Sequence, residues 1–194
     1  MRKNEKITTP VSVSAAASPV YLLGTYNQDK TPFFATVTFV CYIPGSPECQ
    51  IVGIASSEQT KENINREQVF SLNLCTVDMK DLADDAWLGY APDKSEKHIV
   101  DYCNGNKLDV PILNASPNNI ECKVTQSLQI GHAAVFVSEV LCQQADSRLV
   151  PPYPGADGSY KWYESIDAKK FNPLLYGFNY YTLSESLGQI GMKW

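Results

Sequence analysis

The stretch IASSEQTKENI, residues 54–64, joins hydroxyl side chains to the predicted start of a helix. Ser56 and Ser57 precede the helix, and Thr60 and Lys61 fall in its first turn. The first N–H groups of a helix have no partner within the helix, and its dipole is positive there, so this end attracts anions. An anion site is therefore one interpretation of the pattern, although this stretch alone favours the simpler one that follows. An ordinary helix N-cap, which contributes about 1 kcal/mol, is the competing interpretation.

A second stretch, FFATVTFV (residues 33–40), is suited to line a flat ligand. Its β-branched and aromatic residues favour a strand. At the edge of a sheet, the backbone amides and the hydroxyls of Thr36 and Thr38 would face a flat polar ring. Core packing explains the same residues without a ligand.

The chain has only two histidines, and His132 lies at the corner of a predicted hairpin. Residues 118–140, NNIECKVTQSLQIGHAAVFVSEV, alternate apolar and polar positions on both sides of Gly131-His132, which predicts two strands and a tight turn. The position of His132 leaves two interpretations, a ligand contact or a solvated turn residue. The Asp93-Lys94 loop offers a cation in the same way, or is simply surface.

Other chemistries find little support in the residues. The chain has no G-x-G-x-x-G, Walker loop, H-E-x-x-H, G-x-S-x-G or C-x-x-C motif, and nothing points to a catalytic triad. The two histidines are far apart in sequence, so a histidine-rich metal site is excluded unless carboxylates dominate it, and we expect no metal. The six cysteines are expected to be reduced, because several lie in apolar predicted strands.

The secondary-structure elements predicted to position these candidate residues are mainly strands. A polar segment without Gly or Pro, residues 57–68, predicts a helix capped by Ser56 or Ser57, and a second helical patch covers Met79–Trp87. The C-terminal 15 residues suggest a short strand and turn. Further strands are predicted at Val20–Thr25, Phe34–Val40, Ile51–Ala55 and Phe70–Leu74. This pattern predicts an antiparallel β protein closed into a barrel, which removes exposed sheet edges.

Composition limits the partners of this barrel. With 194 residues, 44% of them hydrophobic, the chain can form one sizeable core. Its net charge of −5 argues against nucleic-acid binding, which needs a basic face. No apolar run approaches the roughly 20 residues of a membrane span. The N-terminus resembles a signal peptide only loosely, so we expect a cytoplasmic protein.

The order of these motifs resembles the flavin reductase-like family with the FMN-binding split barrel, and most of all its flavoredoxin branch. The resemblance covers residues 18–192, so residues 1–17 are expected to be an extension and 18–194 the domain. Its most specific parts are T-x-x-N-I followed by F-S-L-N, and I-E-C-K-V followed by G-H and F-V-S-E-V.

The resemblance implies a six-stranded antiparallel Greek-key split barrel with a few short helices, usually a homodimer that binds FMN near the subunit interface. It also implies roles: Thr60 for the phosphate, supported by Ser57 and Lys61, His132 and Lys94 at the flavin, and Tyr176 over the ring. The implied flavin-binding residues are Phe33, Phe34, Ala35, Thr36, Val37, Thr38, Phe39, Ser56, Ser57, Thr60, Lys61, Lys94, His132 and Tyr176.

The sequence departs from the family pattern at three places. Phe33 stands where flavoredoxins have an Asn, which removes a hydrogen bond to the flavin. Phe39 replaces a Trp and keeps an aromatic wall. Ala55 and Glu58 stand where many relatives have arginines, so fewer cations meet the phosphate.

Three functions are compatible with this resemblance. The first is an NAD(P)H-dependent flavin oxidoreductase, in which NADH or NADPH reduces bound FMN and a small molecule or redox protein accepts the electrons. The second is an FMN electron-transfer protein without nicotinamide activity. The third is a split-barrel ligand-binding module that has lost flavin, for which the Phe33 and Ala55 departures are the best support.

Overall fold

A computed structural model of the chain describes residues 17–55, 57–87, 100–146, 174–176 and 179–182. In chain order its elements are β1 (Ser18–Pro19), β2 (Tyr21–Tyr26), β3 (Pro32–Val37), β4 (Phe39–Ile43), β5 (Cys49–Ile54), α1 (Glu58–Glu67), β6 (Val69–Leu74), a 3-10 turn (Val77–Met79), α2 (Lys80–Trp87), β7 (Tyr102–Asn104), β8 (Pro111–Leu113), β9 (Asn118–Ile130), β10 (Ala133–Ala145), β11 (Leu174–Tyr176) and β12 (Asn179–Tyr181). The predicted mainly β class with a few short helices is confirmed.

One antiparallel sheet dominates the fold, in the order β3-β2-β6-β9-β10-β5-β4. Its two edge strands, β3 and β4, are consecutive in the chain and separated only by Thr38. The sheet therefore curls until both edges meet in one continuous segment. This explains why the sheet has seven strands where six were expected: the single predicted strand Phe34–Val40 is divided at Thr38.

The division at Thr38 changes which side chains face inward. Val37 and Val40 both pack in the core of the curled sheet, whereas Phe39 is exposed. In a regular strand, residues three apart point to opposite faces. Thr38 acts as the extra residue that resets the alternation, as in a β-bulge, and lets the segment pass from β2 to β5.

Two apolar clusters stabilise the fold. The first fills the inside of the curled sheet and consists of Leu23, Val37, Val52, Ile54, Ile64, Phe70, Leu72, Ile120, Cys122, Val124, Ala134 and Phe136. The second lies under α2, on the outer side of β2 and β3, where Ala83 and Ala86 pack against Leu22 and Phe34. Tyr180 of β12 also packs against this second cluster.

The outer side of β6 carries buried polar residues that hold the segment leading through β7 and β8. The Asn73 amide donates to Leu22 O at 2.9 Å, and its oxygen accepts from Leu113 N at 3.0 Å and from the Asn119 amide at 2.7 Å. Ser71 Oγ donates to Pro111 O at 2.6 Å. The F-S-L-N motif is thus a clamp for the chain between β7 and β9.

Glu121 of β9 completes this clamp. Its fully buried carboxylate accepts the backbone N–H of Asn106, at 2.8 Å, on one oxygen, and those of Lys107 and Leu108, at 2.8 and 2.7 Å, on the other. Such a run of N–H groups around one anion fixes the loop. The Glu of I-E-C-K-V therefore has a structural role, because it accepts the backbone hydrogen bonds of residues 106–108.

The predicted hairpin of residues 118–140 is confirmed and is longer than expected. β9 and β10 are 13 residues each and are joined by Gly131-His132, with Ala133 paired to Ile130. Gly131 has φ +58, a left-handed conformation that glycine adopts without steric cost.

All six cysteines lie in the described part of the chain, and the structure shows their thiols free. The part of the chain that the structure describes contains no group of three or more metal-ligating side chains. Among the same residues, neither helix has the length and apolarity required to cross a bilayer.

Candidate functional site

The start of α1 is built by hydroxyl groups, as the sequence predicts. Ser57 is the N-cap residue, and its Oγ accepts from Thr60 N at 3.3 Å. The Thr60 hydroxyl lies 2.6 Å from Ser57 Oγ and is fully buried. The N-cap interpretation is confirmed, and the same geometry places two hydroxyls at the positive end of the helix dipole.

Lys61 connects this helix end to the turn of the β9–β10 hairpin. Its side chain is only 7% exposed, and its ammonium donates to His132 O at 2.7 Å and to Glu58 Oε1 at 2.6 Å. Glu58 itself is largely exposed. Two parts of the predicted site, 71 residues apart in the chain, are therefore joined by one buried cation.

Asn63 holds α1 against the barrel and was not among the predicted site residues. Its buried amide donates to Thr25 Oγ1 and Asn27 Oδ1, both at 3.0 Å, and its oxygen accepts from Gln59 Nε2 at 3.0 Å and from Arg66 Nη1 at 3.1 Å. The T-x-x-N-I spacing explains the arrangement, because Thr60 and Asn63 lie one turn apart. The T-x-x-N-I motif, which contains Asn63, is the sequence signal that could have identified this anchor.

Most predicted residues of the 33–40 stretch are packed side chains. Val37 belongs to the barrel core and Phe34 to the cluster under α2, while Phe33 and Ala35 are also buried. Thr36 donates its hydroxyl to Ala83 O of α2 at 2.6 Å. For these side chains the core-packing interpretation describes the structure, and what β3 offers a ligand is its backbone, as an edge strand of the sheet.

The bend at Thr38 lies at the same end of the barrel as α1. Phe39 is paired with Gly53, and Gly53 with Val135, so Thr38 lies beside Ile54 at the end of β5. Ile54 is in turn paired with Ala134, two residues after the corner histidine. The bend at Thr38, the start of α1 and the turn of the β9–β10 hairpin therefore lie close together at one end of the barrel.

Four predicted site residues remain, namely His132, Tyr176, Ser56 and Lys94. The side chain of His132 is exposed, which agrees both with a ligand contact and with a solvated turn residue. Tyr176 lies in β11, where its backbone pairs with Asn179. Ser56, Lys94 and the side chain of Tyr176 lie outside the described residues.

An outer apolar face extends from this site across four strands. We use that name for two rows of paired residues, one of Phe39, Gly53, Val135 and Leu128 and the other of Cys41, Ile51, Val137 and Gln126. Phe39 is 58% exposed and Leu128 60%. Neither row contains a charged residue, and Ile130 is also exposed beside the end of the first row.

The family of this chain follows from a comparison with models of protein families. A family model described as "Flavin reductase like domain" matches residues 13–181, most of the 194-residue chain. The chain belongs to the flavin reductase-like family. This membership confirms the resemblance found in the sequence and supports a flavin-associated redox function. A search of curated proteins found no match.

Solved structures share the fold of this flavin reductase-like chain. Flavoredoxin from Methanosarcina acetivorans superposes with a TM-score of 0.79 at 23% identity and covers 96% of each chain. Flavoredoxin of Desulfovibrio vulgaris (Miyazaki F) has a TM-score of 0.78 at 19% identity, covering 96% of this chain and 98% of its own. An FMN-binding protein from Thermus thermophilus has 0.72 at 18%, covering 96% and 99%.

The residues present fit the phosphate end of a flavin nucleotide. A helix N-terminus, two hydroxyls and a buried ammonium are donors that a phosphate accepts from. Burying the Lys61 cation costs desolvation energy, and the positive end of α1 adds to that cost. An anion bound there would offset both the desolvation of Lys61 and its repulsion by the positive end of α1.

Proposed function

We propose that this chain binds FMN and passes electrons from NADH or NADPH, through the bound flavin, to a small-molecule or redox-protein acceptor. The observation that supports it most is the buried Lys61 ammonium, which lies at the positive end of α1 and contacts the hairpin turn. Phosphate would be held by Thr60, Ser57 and Lys61. The flavin ring would lie along the β3 edge and the Thr38 bend.

The chain's own residues would bind and orient the cofactor. When bound, FMN supplies hydride acceptance and electron release, so no protein nucleophile is needed. The exposed His132 would donate a hydrogen bond to the flavin, and Lys94 would add a cation there. A cation or donor at the pyrimidine edge favours the reduced flavin. Substituting His132 with Ala should make bound FMN harder to reduce, and an unchanged midpoint potential would count against that role.

The first experiment is a visible absorption spectrum after incubation with FMN and desalting. About one flavin per chain supports the cofactor assignment, and a colourless protein rejects it in favour of a ligand-binding module that has lost flavin. Adding NADH or NADPH without air then separates the two flavin functions. Bleaching supports an oxidoreductase. No bleaching, with reduction by a reduced ferredoxin, supports an electron-transfer protein.

We also propose that the chain forms a homodimer through the outer apolar face. Its exposed Phe39 and Leu128 lie on a surface without charged residues, which is typical of an interface core. Phe39→Lys should shift the mass measured by light scattering toward the monomer, whereas Tyr181→Lys, an exposed aromatic on another sheet, should not. A monomeric parent protein would contradict this proposal.

Two further proposals concern the cellular compartment of the protein and the charge of its electron acceptor. Six free thiols support a reducing compartment, for which we propose the cytoplasm. The net charge of −5 disfavours docking of a strongly acidic acceptor by charge attraction. A neutral or basic acceptor is therefore preferred.

A further inference from the structure

Lys61 is already engaged by a carboxylate of its own helix. Its ammonium has three N–H donors, and the contacts to Glu58 Oε1 and His132 O use two of them. The His132 contact is to a backbone carbonyl of a fixed turn, and it holds the ammonium in place. The Glu58 contact is to a side chain that is 75% exposed.

A phosphate at the start of α1 would compete with Glu58 for the same two attractions. Glu58 is in the first helical turn, where a negative charge is favoured by the helix dipole, and it pairs with the buried cation. A bound phosphate needs that dipole and that cation. Because Glu58 is exposed, its carboxylate can move away at small cost, but its charge remains close to the phosphate.

We propose that Glu58 is a specificity-determining residue that lowers the preference of this site for phosphorylated flavin over riboflavin. The inference rests on the proposed FMN site. Glu58 acts as an internal competitor for Lys61. It therefore weakens binding of the phosphate and leaves binding of the ring unchanged. The effect is modest, because an ion pair with an exposed carboxylate is screened by water and salt.

The test compares dissociation constants for FMN and riboflavin, which differ only in the phosphate. We expect Glu58→Gln to tighten FMN binding by about twofold to fivefold, which corresponds to the usual strength of such an ion pair, and to leave riboflavin unchanged. The matched control is Glu62→Gln, the same change of charge at an exposed position on the next turn of α1. It should alter neither constant.

A double-mutant cycle checks that Glu58 acts through Lys61. In a Lys61→Gln background, the gain from Glu58→Gln should shrink, because the competed cation is gone. An unchanged ratio of the two constants in Glu58→Gln, while both flavins bind, overturns this inference alone. Failure of every variant to bind either flavin overturns the proposed function, and this inference with it.

Discussion

Replacing Glu121 with glutamine tests the clamp on residues 106–108. The substitution keeps the size of the side chain, but it exchanges one accepting oxygen for an NH2 group. At least one of the three backbone N–H groups that now bond to the carboxylate then loses its acceptor. An unsatisfied buried donor costs about 1–3 kcal/mol, and hydrogen bonds to a charged group contribute about 1.5–3 kcal/mol. We expect the free energy of unfolding to fall by about 2–4 kcal/mol.

The pH dependence gives this prediction a second readout. Burial by itself raises the pKa of Glu121, but the N–H groups of Lys107, Leu108 and Asn106 outweigh it and hold the pKa below its ordinary value. The carboxylate therefore contributes fully above the unfolded-state pKa of about 4.3, and its contribution is lost as the pH falls through the lower folded-state pKa. The stability difference between the two proteins should narrow below about pH 4.3.

Urea unfolding of both proteins between pH 3 and pH 7 measures this difference. Glu139→Gln is the control, because Glu139 is a partly exposed carboxylate on the neighbouring strand, and its loss should change stability by less than about 0.5 kcal/mol. Hydrogen exchange of the 106–108 amides should accelerate only in Glu121→Gln. Equal urea midpoints for Glu121→Gln and the parent protein at pH 7 would refute the reasoning.

Three further substitutions probe the frame of the site. Gly105→Ala would place a Cβ 2.7 Å from Glu121 Oε2 and 2.6 Å from Leu108 O, so we expect a loss of about 1–3 kcal/mol in urea unfolding; an unchanged midpoint would contradict this close approach. Gly131→Ala should cost about 1 kcal/mol through its positive φ alone, since nothing lies within 4 Å of the new Cβ, and an Asn at this position should lose less. Tyr180→Phe removes the hydroxyl bonded to Asp84, which together with the larger effect of Lys80 lowers the pKa of Asp84; the pKa of Asp84, measured by NMR titration, should therefore rise, and an unshifted pKa would exclude that bond.

Local patterns in the sequence predicted the elements that depend on neighbours close in the chain. The helix start at Ser57 and the hairpin around Gly131 follow from capping and turn chemistry. The break at Thr38 could not be predicted in this way, because it exists only where one segment must pair with β2 on one side and β5 on the other. The pattern of apolar and polar residues along 33–40 does not show that the second half of this segment pairs with a different strand, β5.

In the candidate site, too, some features follow from the local sequence and others depend on distant contacts. Sequence reasoning singled out Thr60, Lys61 and His132, and the structure connects Lys61 to His132 through a contact that spans 71 residues. It also assigned ligand roles to residues such as Phe34 and Thr36, whose side chains prove to be packed against α2. Which face of a strand is covered depends on a helix nearly 50 residues away, and no local pattern encodes that.

The continuity of β3 and β4 through Thr38 has a consequence for how the barrel comes apart. In an ordinary open sheet, an edge strand can detach while the rest stays paired. Here, peeling β3 from β2 pulls on the peptide that anchors β4 to β5, at the opposite edge. The two edges are expected to open together. Their amides should exchange with solvent hydrogen at one common free energy, as a single cooperative unit.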